Sequence, residues 1–181
     1  EEHSVTTLGV SFTPMDTLVF HGQWAQDGIA KGQAGEVGAQ FTSDQWQAHA
    51  LLRFSGDEFF GFDYATPGQN YYEFGASGRW NAFGLTGSMN RQQGPKAPQS
   101  AVAIDTTETA VTGTSVRPSG FGVTLRGVLE QIAEHTDGQA TKDETIRTVA
   151  IETVFPIAEF LMKVRNQWAS IENHLHADGS T

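Results

Sequence analysis

The sequence predicts an α+β fold, in which a mainly antiparallel β meander of about seven to nine strands precedes C-terminal helices. Eleven of the 19 aromatic residues in this 181-residue chain lie between Trp46 and Phe83, in short runs typical of strands. Turn sequences containing Gly or Pro separate these runs at intervals of roughly ten residues. Beyond residue 121, apolar residues recur at three- and four-residue intervals instead, a spacing typical of amphipathic helices.

The β-rich part is expected to span residues 4–116. Strand-like runs occupy residues 4–12 and 17–24, and the polar, Gly-rich stretch 25–37 is expected to be a loop. The strands of the central meander, residues 44–91, carry apolar residues on both faces. We therefore expect a sandwich, a barrel or a curled sheet that is covered on both sides or that lines a cavity with one face.

Two further strands are expected after a surface loop at residues 92–100. The runs 101–106 and 109–116 have β-type composition and could form a hairpin around Thr107-Glu108. Pro118-Ser119-Gly120 is expected to end the sheet.

The helical part is expected to span residues 121–173. A first amphipathic stripe has the spacing i, i+3, i+4, i+7 and consists of Leu125, Val128, Leu129 and Ile132. Asp137-Gly138 is expected to end this helix. A capping box at residues 141–144 is expected to begin a longer helix, which Pro156 would kink. The broad apolar surface of residues 146–171 would pack between the sheet and another helix, or form a homo-oligomer interface.

The composition indicates one domain, residues 1–181, with a flexible tail at 174–181. No run of 18 apolar residues occurs, so the sequence predicts no transmembrane helix and hence no membrane span. The chain lacks cysteine, which excludes disulfides, thiol catalysis and thiolate metal sites. We expect a secreted or surface-exposed protein on this basis, and a cytoplasmic one remains open.

The protein is acidic, and its net charge of −10 disfavours nucleic acid as a partner. The charge is unevenly distributed, because residues 79–126 carry a net charge of +3 while the flanking parts are negative. This segment is either part of an ordinary solvated surface or a basic patch that binds an anionic ligand or the acidic face of a second copy.

The strongest candidate site is a partly apolar pocket for a small hydrophobic or amphipathic molecule. Its predicted walls are aromatic side chains, several of which have polar tips that need partners: Phe60, Phe62, Tyr64, Tyr72, Phe74 and Trp80. Arg53 or Arg79 would supply one cationic anchor. Packing of the same aromatics in a core is the alternative.

Other combinations of titratable residues have no recognisable catalytic spacing, and the sequence predicts neither a catalytic residue, a metal nor a cofactor. His21 and Asp63 could act as base and orienting carboxylate if the fold brings them together. Two further groups could ligand a metal only with unidentified partners or in a terminal tail: Glu130 with Glu134 and His135, and His174 with His176 and Asp178.

The tripeptide Gly22-Gln23-Trp24 resembles the G-x-W signature in the first strand of lipocalins and calycins. That resemblance implies an eight-stranded cup that binds small hydrophobic molecules, and it covers Gly22 and Trp24 only. The predicted long C-terminal helix is closer in outline to helix-grip folds. We assign the chain to neither family.

Three functions follow as hypotheses. The first is non-enzymatic binding of a small, partly apolar ligand in an aromatic-lined cavity. The second is self-assembly as a structural protein, such as a coat, tail or surface-layer subunit. The third is an enzyme with an unrecognised acid/base site.

Overall fold

The computed structural model describes residues 4–29, 32–59, 67–96, 100–157 and 160–175. They form one open sheet of ten antiparallel strands, each paired with the strands before and after it in the chain. The strands are β1 (Val5–Met15), β2 (Leu18–Asp27), β3 (Gln33–Thr42), β4 (Trp46–Ser55), β5 (Asn70–Trp80), β6 (Phe83–Pro95), β7 (Val102–Val116), β8 (Gly122–Thr136), β9 (Gln139–Ile157) and β10 (Phe160–Asn173).

The predicted meander is therefore confirmed, but the α+β fold class is wrong. The described part of residues 121–173 contains no helix and instead forms β8, β9 and β10. Residues separated by four positions share a face in both a helix and a strand, so Leu125 and Leu129 fit either periodicity. The residues on β9 between 145 and 157 include eight β-branched side chains, which favour an extended backbone.

Three further features of the structure differ from the predicted elements. Asp137 and Gly138 have φ angles of 53° and 80° and join β8 to β9, so they form a two-residue hairpin turn rather than a helix end. The expected hairpin around Thr107-Glu108 is absent because β7 runs straight through these residues. Pro156 pairs with Leu161 on β10 but lies beyond the end of β8, so its missing amide removes no hydrogen bond to β8.

The connections differ between the two ends of the sheet. One end, called the turn end here, has connections of two to five residues between β1–β2, β3–β4, β5–β6, β7–β8 and β9–β10. The opposite end, called the loop end, includes the longest connection, which joins β4 to β5 through residues 56–69.

The sheet has almost no conventional hydrophobic core. Five described apolar residues are buried: Ala25, Ala34, Phe59, Ala110 and Ala150. The accessible surface is 11983 Å², whereas a compact soluble protein of this mass exposes about 8,600 Å². The described residues therefore form a single layer that leaves most of its large apolar side chains uncovered.

Candidate functional site: the two faces of the sheet

The strand register divides the sheet into an apolar face and a polar face. The apolar face carries the even-numbered residues of β1, β2, β4, β5 and β10 and the odd-numbered residues of β3 and of β6 to β9. Met15, which follows an irregularity in β1, also lies on it. Twenty-five of the 29 exposed large apolar side chains of the described residues lie on it, the exceptions being Ile29, Val116, Leu161 and Ile171. The exposed large apolar side chains thus lie almost entirely on one face of the sheet.

The polar face carries 14 of the 19 charged Asp, Glu, Lys and Arg residues on the ten strands. The five charged residues on the apolar face occupy the halves of their strands nearer the loop end: Arg91, Asp105, Asp143, Arg147 and Glu172. The rest of the apolar face, from this charged margin to the turn end, carries no Asp, Glu, Lys or Arg on any described strand residue. This region, called the apolar band here, is apolar apart from uncharged polar residues such as Thr109, Thr153 and Asn166.

Aromatic residues border the apolar band. On β4 its residues are Trp46, Ala48, Ala50, Leu52 and Phe54, and on β5 they are Tyr72, Phe74, Ala76, Gly78 and Trp80. Each strand therefore has aromatic side chains near both ends and small ones at the middle. Eight residue steps span about 26 Å along a strand, or about 20 Å along an axis tilted by about 40° from it.

The turn-end border is the richer in aromatics. Six aromatic side chains, all exposed on the apolar face, lie within four residues of the short turns: Phe12, Phe20, Phe41, Trp46, Trp80 and Phe83. The rings of Trp46 and Trp80 contact edge to face, with centroids 4.5 Å apart. Trp24 and Trp168, the other two tryptophans, also lie on the apolar face, nearer the loop end. All four tryptophans therefore share one face.

The polar face holds a chain of ion pairs and hydrogen bonds across β2 to β5. Glu36 contacts His21 at 3.5 Å and Arg53 at 2.5 Å. The Arg53 guanidinium lies 5.7 Å from the centre of the Tyr71 ring. Tyr71 donates its hydroxyl to Glu73 at 3.1 Å, and Glu73 also contacts His49 at 3.0 Å. Burial, followed by the hydrogen bond to the Glu73 carboxylate, raises the pKa of Tyr71.

Phe59 anchors the long β4–β5 connection on the polar face. Its ring is fully buried against Ala25 and Ala34, and Val5 packs at the border of this cluster. The polar face is therefore partly covered near the loop end, while none of the described residues covers the apolar face in this way.

The predicted pocket residues are divided between the two faces. Tyr72, Phe74 and Trp80 lie on the apolar face, whereas Arg53 and Arg79 lie on the polar face. The sheet thus does not bring either predicted cationic anchor beside these aromatics. Phe60, Phe62 and Tyr64 lie outside the described residues, so the ligand site as a whole stays a prediction.

One arginine, Arg91, and two neighbouring surfaces were missed by the sequence analysis. Arg91 lies directly opposite Tyr72 on the apolar face and lines a groove of about 340 Å³ with Tyr72, Phe74, Met89 and Gln93. Arg79 instead lines a cleft of about 840 Å³ at the turn end. Side chains alternate between the two faces of a strand. Applied to β5 from Tyr72 and then to β6, this alternation would have placed Arg91 on the aromatic face and Arg53 on the opposite face.

The charged margin of the apolar face is built from ion pairs. Arg91 donates two hydrogen bonds to Asp105, at 3.0 and 2.7 Å, and Gln93 donates a third at 2.8 Å. Arg147 contacts Glu172 at 2.5 Å. The hydrogen bond from Arg91 holds the pKa of Asp105 below its usual value, and that from Arg147 does the same for Glu172.

We expect the Asp105→Asn substitution to reduce stability in a pH-dependent way. Because the pKa of Asp105 is lowered in the folded protein, its carboxylate contributes stability above the ordinary Asp pKa, and that contribution is lost as the pH falls through the lowered value. At pH 7 the variant should lose about 0.5–1 kcal/mol, because the pair is largely exposed. Unfolding titrations of both proteins between neutral and acidic pH would measure the difference, and a gap that persists in acid would contradict it.

The structure also describes part of the candidate metal-binding and acid/base groups. The described portion of the chain contains no group of three or more His, Asp or Glu side chains placed to hold a metal ion. His21 faces Glu36, while Asp63 lies outside the described residues. His174 forms a 3.0 Å hydrogen bond with Thr145, and His176 and Asp178 are not among the described residues.

The chain matches no protein-family model and no curated protein sequence. A search of the described residues for a helix long and apolar enough to cross a membrane finds none. Because residues 146–157 and 160–171 form strands, the predicted helix-mediated oligomer interface is not supported.

Proposed function

We propose that this chain forms the wall of a membrane pore. Its apolar face lies against the acyl chains of a bilayer, and its polar face borders a water-filled passage for small polar solutes. The observation that carries the proposal is the inverted distribution of side chains, with 25 large apolar residues exposed on one face and 14 charged residues on the other. Strands that cross a membrane alternate in this way, with apolar groups toward lipid and polar groups toward the lumen.

The dimensions and borders of the apolar band support the same assignment. Every strand has at least ten residues, and a tilted strand needs about 9–11 to cross the hydrocarbon. The aromatic borders correspond to the depth at which Trp and Tyr accumulate in membranes. The expectation of no membrane span rested on helix length, a criterion that does not apply to strands. The amphipathic partner predicted from sequence is, in this proposal, membrane lipid on an open face.

The sheet edges add a requirement. Hydrocarbon offers no hydrogen-bond partners, so an exposed backbone N–H or C=O costs several kcal/mol there. The outer edges of β1 and β10 pair with no other described strand. In a membrane these edges must therefore be paired, either by closure of the sheet or with strands of another copy or chain.

Reconstitution tests this function directly. The full chain, incorporated into phospholipid vesicles, should resist alkaline carbonate extraction and produce discrete conductance steps in a planar bilayer bathed in KCl. A parallel sample denatured before incorporation should produce neither result. A protein that stays in the aqueous phase as a detergent-free monomer would contradict the proposal.

Self-assembly is a second candidate, favoured by the exposed edges. All 14 residues of β10 are exposed, and a long unpaired edge is a template for pairing with another chain. Water-soluble closed or fibrous assemblies that form without lipid would favour this function over a pore. The predicted surface location fits either candidate and stays a proposal.

A further inference from the structure

We propose that the groove between β5 and β6 on the apolar face binds one phosphate-bearing lipid, an inference that rests on the membrane location proposed above. Two directly opposed residue pairs form the groove. Tyr72 faces Arg91, and Phe74 faces Met89 one step nearer the turn end. Together with Gln93 they enclose about 340 Å³. The groove thus has a polar end at the charged margin and an apolar end within the band.

The polar end fits a phosphate group. Arg91 uses its Nε and one terminal nitrogen to hold Asp105, which fixes the plane of the guanidinium. A guanidinium carries five N–H donors, so this pairing leaves donors for a phosphate oxygen. Tyr72 lies directly across from Arg91 and lines the same groove, to which it contributes a hydroxyl group. This arrangement places a cation and a hydrogen-bonding hydroxyl where lipid headgroups begin.

The apolar end fits an acyl chain. Phe74 and Met89 are 44% and 39% exposed, so their side chains form walls without filling the space between them. The next residues on this face are Ala76 and Gly87, which also oppose each other. A Cβ added at Gly87 would meet nothing within 4 Å, so the surface there is low and open. A chain that leaves the groove can therefore continue toward the middle of the band.

The occupant is inferred from this combination of groups. A free phosphate would use Arg91 and leave the apolar walls exposed, whereas an uncharged apolar molecule would leave the arginine donors unused. A lipid with a phosphate headgroup satisfies both ends of the groove, with the headgroup at the depth of the charged margin.

Native mass spectrometry of the full chain reconstituted with dioleoyl phosphatidylglycerol tests the inference. The wild-type protein should retain one lipid after detergent removal, and it should retain dioleoylglycerol, which lacks the phosphate, far less. Arg91→Gln should reduce retention of the phosphatidylglycerol at least about ten-fold. Met89→Trp should also reduce it, because the larger side chain fills the groove while the Arg91–Asp105 pair is kept.

Arg147→Gln is the matched control. Arg147 also lies on the apolar face near the loop end and also pairs with a carboxylate, but it does not line this groove. This variant should retain the lipid as the wild type does. Equal retention by the wild type and both groove variants, or equal retention of the two lipids, would overturn the site. A wild-type protein that resists carbonate extraction but retains no lipid would overturn the site alone, whereas one that never enters vesicles would overturn the pore proposal with it.

Discussion

The Gly87→Arg substitution should lower the free energy of unfolding in phospholipid vesicles by about 2–4 kcal/mol, the cost of a cation on the lipid side of a strand near the bilayer midplane. Gly87 lies on the apolar face in the middle of the band on β6. Its φ is not positive, and a Cβ there would meet open space. Steric strain therefore does not contribute, and the penalty reports the surroundings of the side chain.

The same substitution has the opposite sign in water. Replacing a strand glycine by a residue with a Cβ raises the free energy of unfolding in water by about 0.5–1 kcal/mol, because the unfolded chain loses conformational freedom. Urea titrations followed by tryptophan fluorescence would measure the change. Ser88→Arg is the control, because Ser88 is the next residue, faces the polar side and opposes Gly75 and Ala110. Similar effects at residues 87 and 88 would contradict a lipid-facing band.

Several strands of the meander could be predicted because Gly, Pro and Asp residues mark turns between runs of β-type composition. The turn near Asp16 was predicted and joins β1 to β2, whereas the turn at Asn81 was not predicted and Asp137-Gly138 was expected to end a helix. The helical interpretation of residues 121–173 was wrong because it placed Val128 and Ile132 on one face with Leu125 and Leu129. In β8 these two pairs lie on opposite faces. Asp137-Gly138 was the local signal that distinguishes a strand from a helix, since two positive φ angles suit a hairpin turn.

The ligand site stays a prediction, because the structure describes only some of its residues and places others on opposite faces. The aromatic residues were identified, but the predicted anchors Arg53 and Arg79 are odd-numbered residues on strands whose aromatic face is even-numbered. Pleating therefore places them on the opposite side. Whether one face meets water, a core or lipid depends on what covers the sheet, and the sequence analysis assumed a covering of helices. With β8 to β10 in the sheet, nothing among the described residues covers the apolar band.

Lipids brominated on their acyl chains should quench most of the tryptophan emission of the reconstituted protein. The physical reason is that all four tryptophans lie on the apolar face, where bromine atoms in the bilayer can contact them. Trp46 and Trp80 lie beside the turn end, and we expect bromines near the headgroup to quench them more than bromines near the chain terminus, because indole rings settle at the membrane–water interface.

A variant that combines Trp46→Phe and Trp80→Phe separates the two borders of the band. The remaining emission then comes from Trp24 and Trp168, which lie nearer the loop end on strands far apart in the sheet. If these residues mark the opposite interface, their emission should show the same preference for shallow bromines, and a reagent added to one side of the vesicle should reach only one pair. A sheet that binds lipid by one border alone would show shallow quenching for one pair and none for the other. Emission that brominated lipid leaves unchanged in both proteins would place the apolar face against something other than a bilayer.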